Sequence, residues 1–244
     1  MIKNLLCALA LVSLAATPLF AQTATTRPQP PGAAAANSQY AGAQDVAASR
    51  VDQAIAVCMA LGNQEEVSLA QFAESRAKHE KVKQFSEMMI TQHREALEKL
   101  HRISPQLASM PLQLDANPPQ GDASRARANQ PSANGAVGNV DQQMVALQTS
   151  IAQQCLALTQ KELGEKQGAE FDQCYIGQQI GAHVAMLAKL KGSEQFASDQ
   201  LRGFIRDAEK TVETHHKYAK ELAKELMKEA QGSQSAQRTE SSRR

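Results

Sequence analysis

The segment from Lys81 to Ser104 constrains the fold most, because its apolar side chains recur at the helical period. One polar residue, His93, interrupts this apolar stripe in its middle. Two later segments repeat the pattern, with His183 and His215 as the polar residues on otherwise apolar stripes. We therefore predict amphipathic helices that each turn one histidine toward a shared interior.

The same periodicity predicts an all-α fold, an antiparallel helical bundle of four to five helices with a long disordered crossover. Aromatic residues make up 4% of the chain and Trp is absent, which suits helix packing better than a β-sandwich. The predicted helices cover residues 44–75, 81–104, 140–164, 169–190 and 194–230. In the third, we expect the inward stripe to comprise Met144, Leu147, Ile151, Cys155 and Leu158.

The domain organisation follows from changes in composition along the chain. Residues 1–21 combine one lysine, a short apolar run and a small residue at the end, which predicts a signal peptide and export to the periplasm or envelope. Low-complexity segments predict a disordered linker and a disordered tail on either side of one domain, with a Pro-rich insertion loop inside it. These regions are 22–43 for the linker, 231–244 for the tail, 44–230 for the helical domain and 105–139 for the insertion loop.

Composition excludes two classes of partner. The formal net charge is +1 and the chain has three tyrosines without basic–aromatic interleaving, so we expect no nucleic-acid binding. No later stretch approaches 18 apolar residues, so we expect no transmembrane segment after signal cleavage. Unidentified protein partners remain open.

Export would leave three cysteines in an oxidising compartment, so at least one would lack a partner within the chain. Cys155 and Cys174 flank the short connection at Gly164–Gly168, and antiparallel helices would bring them to similar heights. We therefore predict a Cys155–Cys174 disulfide. The alternative is that the cysteines are small buried hydrophobes.

The stripe histidines allow two interpretations. A buried imidazole needs hydrogen-bond partners, which predicts a polar network inside the bundle. Its expected members are Glu66, His93, Asp172, Tyr175, His183 and His215. Alternatively, three histidines bind a single copper or zinc ion, with Glu66 as a further ligand. A di-iron centre is disfavoured, because Ile90, Ile180 and Val212 stand where Glu-x-x-His motifs need carboxylates.

The spaced residues also resemble a known family. Glu66-Val67, Phe72-Ala73, the run Met89 to His93, Phe171-Asp172-x-x-Tyr175, His183 and His215-x-x-x-Ala219 are similar to bacterial domain-of-unknown-function family 4142. The resemblance covers roughly residues 44–226 and implies an exported, ferritin-like bundle. The Pro-rich insertion and the three cysteines depart from the family's compact pattern. The resemblance implies no particular activity.

The function expected from these observations is that of an exported, non-enzymatic envelope protein with a stress or interaction role. No Ser–His–Asp arrangement, phosphate-binding glycine loop or Cys–His spacing indicates an enzyme. We expect no cofactor under this interpretation. The alternative is a periplasmic protein that binds one copper or zinc ion.

Overall fold

The computed structural model describes residues 34–110, Leu114 and residues 138–241, with side chains for 49–107, 110, 114 and 142–232. No strand occurs in these ranges, which confirms the prediction of an all-α helical bundle. Five α-helices make up the fold: α1 (Ala34–Glu74), α2 (Glu80–Ile103), α3 (Gly138–Gly164), α4 (Gly168–Ser193) and α5 (Asp199–Ser241). Short 3-10 helices span Pro105–Ser109 and Glu194–Phe196.

The helices extend beyond several predicted boundaries. Residues 34–43 were expected in the linker but belong to α1, and residues 231–241 were expected in the tail but continue α5. Both segments contain Ala and Gln, which favour helix. Each helix therefore continues into the low-complexity sequence beside it. The predicted insertion loop begins with the 3-10 helix Pro105–Ser109. The predicted signal peptide, residues 22–33 and most of the insertion lie outside the described residues.

Two apolar cores lie along the bundle, and the three histidines fall between them. One core contains Phe85, Tyr175 and Leu222, and the other contains Leu100, Leu190 and Ile205. On each of α2, α4 and α5, the buried histidine separates residues of the first core from residues of the second. The bundle is therefore built as two hydrophobic layers with a polar layer between them.

Helix α3 presents the opposite face from the one predicted. Its buried side chains are Leu156, Thr159 and Leu163, whereas the predicted stripe is largely exposed. The helix is apolar on two sides, so periodicity alone did not identify the inward one. None of the described helices combines the length and apolarity needed to cross a membrane.

Asp172 fastens α4 to the connection between α1 and α2. Its carboxylate accepts the backbone N–H of His79 at 2.8 Å and that of Lys78 at 3.1 Å. The side chain is almost completely buried, and these N–H groups precede α2, where no helical carbonyl is available to them. One side chain thus satisfies two orphan donors and fixes the entry of α2 onto α4.

We predict that Asp172→Ala lowers the free energy of unfolding by about 2–4 kcal/mol, because two backbone donors lose a charged acceptor. Asp172→Asn, which keeps one acceptor oxygen, should lose less. Urea denaturation of both variants measures the difference, with exposed Asp207→Ala as the control. Equal stability of Asp172→Ala and wild type would show that the two hydrogen bonds add nothing.

Candidate functional site

Three histidines from three helices meet in the polar layer. His93 comes from α2, His183 from α4 and His215 from α5, and each is less than 5% exposed. Their ring centroids are 5.3 Å apart for His93–His215 and for His183–His215, and 6.0 Å apart for His93–His183. The prediction that the helical pitch turns these three rings toward one interior therefore agrees with the structure.

The proton of the His93 ring is placed by Asn63 on α1. The Asn63 amide nitrogen donates to the carbonyl of Met59 at 2.7 Å, so its oxygen points the other way. That oxygen lies 2.8 Å from His93 Nδ1. Because an amide oxygen only accepts, Nδ1 carries the proton and Nε2 is left with a lone pair.

The other two rings are oriented in the same way. His183 Nδ1 lies 2.8 Å from the backbone carbonyl of Gln179, so it must donate, and Nε2 keeps a lone pair. His215 Nε2 lies 2.7 Å from the side-chain oxygen of Gln92. With that oxygen as acceptor, the proton sits on His215 Nε2, and Nδ1 keeps the lone pair.

The remaining ring nitrogens face one another. His183 Nε2 and His215 Nδ1 are 3.2 Å apart. His93 Nε2 is buried and has no hydrogen-bond partner among the described residues. Burial lowers the pKa of His183 to about 4 and that of His215 to about 3, and it lowers the pKa of His93 well below its usual value. All three rings are therefore neutral at pH 7, with lone pairs available.

One ring nitrogen from each histidine lies within 4.8 Å of the other two, a donor set that suits a borderline transition-metal ion. Glu66 does not belong to this group of described ligand atoms. Its carboxylate instead accepts the side-chain amide of Gln179 at 2.9 Å. Gln179 therefore links Glu66 to His183 through its side chain and its backbone carbonyl, so Glu66 is a neighbour of the histidines and not one of their ligand set.

Two adjacent carboxylates, Glu65 and Glu66, line a small cavity of about 40 Å³ between α1, α3 and α4. Burial raises the pKa of Glu66 to about 7 against the opposing effect of the Gln179 hydrogen bond. Burial and the neighbouring Glu66 also raise the pKa of Glu65 to about 7. Glu66 is buried and Glu65 is half-buried.

Asp172 and Tyr175 lie apart from the histidines, which corrects the predicted single network. Asp172 binds the α1–α2 connection at the end of the bundle. Tyr175 packs against Phe85 and Phe171 in the first apolar core, and its hydroxyl lies beside that of Ser86. Burial raises its pKa. Both residues are buried as predicted, but a shared helix does not place them in a shared layer.

The predicted Cys155–Cys174 disulfide is absent, because Cys155 is a free thiol. Cys155 lines the small cavity beside Gln178 and Ala182. These residues lie about one to two helical turns further along α4 than Cys174. Cys174 packs instead among residues of the first core. Cys155 and Cys174 lie at similar distances from the turn, but the rotation of α3 turns Cys155 toward a different part of α4.

Sequence reasoning missed Asn63, Gln92 and Gln179, the three residues that orient the imidazoles. Gln179 precedes His183 by one helical turn on the same face, a signal that the sequence did offer. Asn63 and Gln92 gave no comparable signal. Which polar side chain on a neighbouring helix meets a given ring depends on helix rotation, and that is visible only in three dimensions.

We predict that Glu66→Gln stabilises the protein more at pH 8 than at pH 4. The folded chain holds the Glu66 proton up to about pH 7, whereas the unfolded chain releases it near 4.5. The free energy of unfolding of the wild type therefore falls as pH rises through this window, by about 3 kcal/mol. Glutamine keeps the oxygen that Gln179 needs and does not ionise.

Urea denaturation between pH 4 and pH 8 measures this difference, with exposed Glu87→Gln as the matched control. Parallel pH profiles for Glu66→Gln and wild type would show that the Glu66 pKa is not raised in the folded protein.

Comparison with known proteins gives a family and nothing more specific. No curated protein and no solved structure matches the chain. The model of the family described as Domain of unknown function (DUF4142) matches residues 37–132 and 123–222. These matches include all three histidines, Asn63, Gln92 and Gln179, and they overlap at residues 123–132, within the predicted insertion. The chain therefore belongs to the DUF4142 family.

Proposed function

We propose that this chain is an exported, non-enzymatic helical-bundle protein of the cell envelope that acts by association with protein. The observation that carries the proposal is the exposed apolar stripe of α3, with Met144 39%, Leu147 49%, Ile151 42% and Leu158 52% exposed. A surface helix normally turns its apolar residues inward, so a stripe left outside indicates a surface that is covered in use.

The occupant we propose for this stripe is the α3 helix of a second copy. Met144, Ile151 and Leu158 recur every seven residues and Leu147 lies between the first two, which is the spacing of a coiled-coil seam. Residues 142–160 contain no Asp, Glu, Lys or Arg, so two copies would meet without like-charge repulsion. An isologous, two-fold pairing of identical helices would bring the two apolar stripes together without placing like charges against each other.

The stripe spans about 21 Å of helix, which is short for a permanent dimer. We therefore expect a reversible dimer with a Kd on the order of micromolar. Such an association is compatible with the interaction role expected from the sequence, in which the bundle is a rigid support and α3 the contact surface.

We predict that Ile151→Asp combined with Leu158→Asp weakens dimerisation at least 10-fold, because each buries a charge in an apolar seam. Analytical ultracentrifugation across a range of protein concentrations measures the effect. Ala146→Asp is the matched control, since Ala146 is exposed on the same helix and points away from the stripe. If the wild type stays monomeric at a protein concentration 100-fold above the expected Kd, the chain does not self-associate. If Ala146→Asp weakens dimerisation as much as the double variant does, the stripe is not the interface.

Export is supported by the apolar run Leu5–Ala16, which is too short to span a bilayer and precedes a small residue at position 21. We predict that the protein recovered from a periplasmic fraction begins at Gln22, or one residue later. Intact mass measurement tests this directly, with Leu9→Arg as a variant that should stay unprocessed. Protein that retains Met1 throughout would contradict export by this route.

A non-enzymatic role is supported by the use of the buried polar groups. Asn63, Gln92 and Gln179 hold imidazoles, and Asp172 holds backbone N–H groups of the α1–α2 connection. The bonds of Asn63 and Gln92 join different helices, that of Gln179 lies within α4, and those of Asp172 join α4 to the α1–α2 connection, so together they fix the relative rotation and height of the helices. The polar interior thus keeps the surface of the bundle in one arrangement, which a binding protein requires.

A further inference from the structure

We propose that His93, His183 and His215 form a mononuclear binding site for a first-row divalent transition-metal ion, with Zn(II) as the reference ion. The site would be nitrogen-only and would use His93 Nε2, His183 Nε2 and His215 Nδ1. The inference is separate from the association of α3, which lies on a different surface of the bundle.

The ring protons of the three imidazoles point away from the centre of the cluster. Each imidazole donates its other ring nitrogen to an oxygen acceptor: Asn63 Oδ1, the Gln179 carbonyl and Gln92 Oε1. Metal-binding histidines almost always make such an outer hydrogen bond, which fixes the tautomer and aims the other nitrogen at the ion. Three rings from three helices show the same arrangement, and it leaves three lone pairs inside.

With these ring protons pointing outward, the three inward lone pairs accept no hydrogen bond from the described residues. With Gln92 Oε1 as acceptor, His183 Nε2 and His215 Nδ1 meet at 3.2 Å with no proton between them. His93 Nε2 is buried without a hydrogen-bond partner among the described residues. A cation at the centre would satisfy all three at once, whereas apolar burial satisfies none.

The distances fit a small ion. Zn–N bonds of about 2.0–2.1 Å around one ion put the ligand nitrogens about 3.3–3.6 Å from each other. The His183–His215 separation of 3.2 Å is already close to this value. No two ligand atoms of the group lie more than 4.8 Å apart, so a shift of about 1 Å between the rings closes them around an ion.

The donor set selects the ion. Three neutral imidazoles without a carboxylate suit Zn(II) and Cu(II) and do not suit Mg(II) or Ca(II), which prefer oxygen ligands. Three protein ligands leave one tetrahedral position for water or another small ligand. The protein side of this site therefore resembles an open centre more than a closed structural one.

An entry path leads to the rings. A cavity of about 450 Å³ is lined by His93 and His215, together with Asn63, Gln92 and Asp207. The Asp207 carboxylate at the mouth of the cavity is exposed and forms an ion pair with Lys210. An ion in solvent can thus approach two of the three ligands without opening a helix–helix contact.

The test uses the full chain without an affinity tag, stripped with a chelator and titrated with Zn(II), Cu(II) and, as a spectroscopic probe, Co(II). We expect one equivalent of ion per chain, intense visible absorption from tetrahedral Co(II), and a rise in Tm with Zn(II) concentration. His93→Ala and His215→Ala should each weaken binding at least 100-fold. His101→Ala, exposed on α2, should bind as the wild type does.

A second control addresses the surface group His79, Glu225 and Glu229, whose ligand atoms also lie close together. His79→Ala should leave Zn(II) binding unchanged if the ion sits at the three buried histidines. Binding lost in His79→Ala but kept in His93→Ala would overturn the proposal, as would no saturable binding of any of the three ions.

Ring-nitrogen NMR of the wild type keeps the test decisive even if an alanine variant does not fold. The expected result is that His93 Nε2, His183 Nε2 and His215 Nδ1 are unprotonated in the stripped protein and that all three shift on addition of one equivalent of Zn(II). The competing arrangement has the Gln92 amide turned, so that His215 Nδ1–H donates to His183 Nε2. A protonated His215 Nδ1 that persists in the presence of Zn(II) would overturn the site.

Discussion

The structure depends on how three imidazoles satisfy their ring nitrogens away from water. A neutral imidazole has one donor and one acceptor, and leaving either unsatisfied in the interior costs about 1–3 kcal/mol. Each ring N–H donates to an oxygen. For His93 and His215 that oxygen lies on another helix, and for His183 it lies one turn earlier on the same helix. The acceptor nitrogens converge on one another, so the least satisfied part of the bundle is its centre. That imbalance distinguishes this layer from an ordinary polar network, in which donors and acceptors pair off.

The position of the layer has a structural consequence. It separates two apolar cores that each span several helices. Apolar layers tolerate small shifts in helix height, because hydrophobic contact has little directionality. Hydrogen bonds do not tolerate such shifts, and Asn63–His93 and Gln92–His215 join α1 to α2 and α2 to α5. The polar layer therefore sets the register that the two cores leave free, and Asp172 does the same at the α1–α2 connection.

The sequence predicted what depends on periodicity and missed what depends on rotation between helices. The stripes around His93, His183 and His215 predicted both the helices and the meeting of the rings, because α2 and α5 each have one clearly apolar face. Helix α3 is apolar on two faces, so the same method chose the wrong one, and the Cys155–Cys174 pairing failed with it. Asn63 and Gln92 were missed because their importance lies in a partner on another helix. The family match covers the same spaced motifs.

Gln179 connects the two chemically distinct parts of the interior. Its side-chain amide donates to Glu66, and its backbone carbonyl accepts from His183. Because Glu66 has a pKa near 7, its charge changes close to neutral pH, whereas the histidines stay neutral well below that pH. The acid–amide pair and the imidazole cluster thus share one residue but titrate in different ranges. The hydrogen-bonded route from Glu66 to His183 runs through Gln179, and the helical hydrogen bonds of α4 hold that backbone in place. The fold therefore keeps a titrating carboxylate within two hydrogen bonds of the imidazole cluster, on a backbone that resists movement when the carboxylate changes charge.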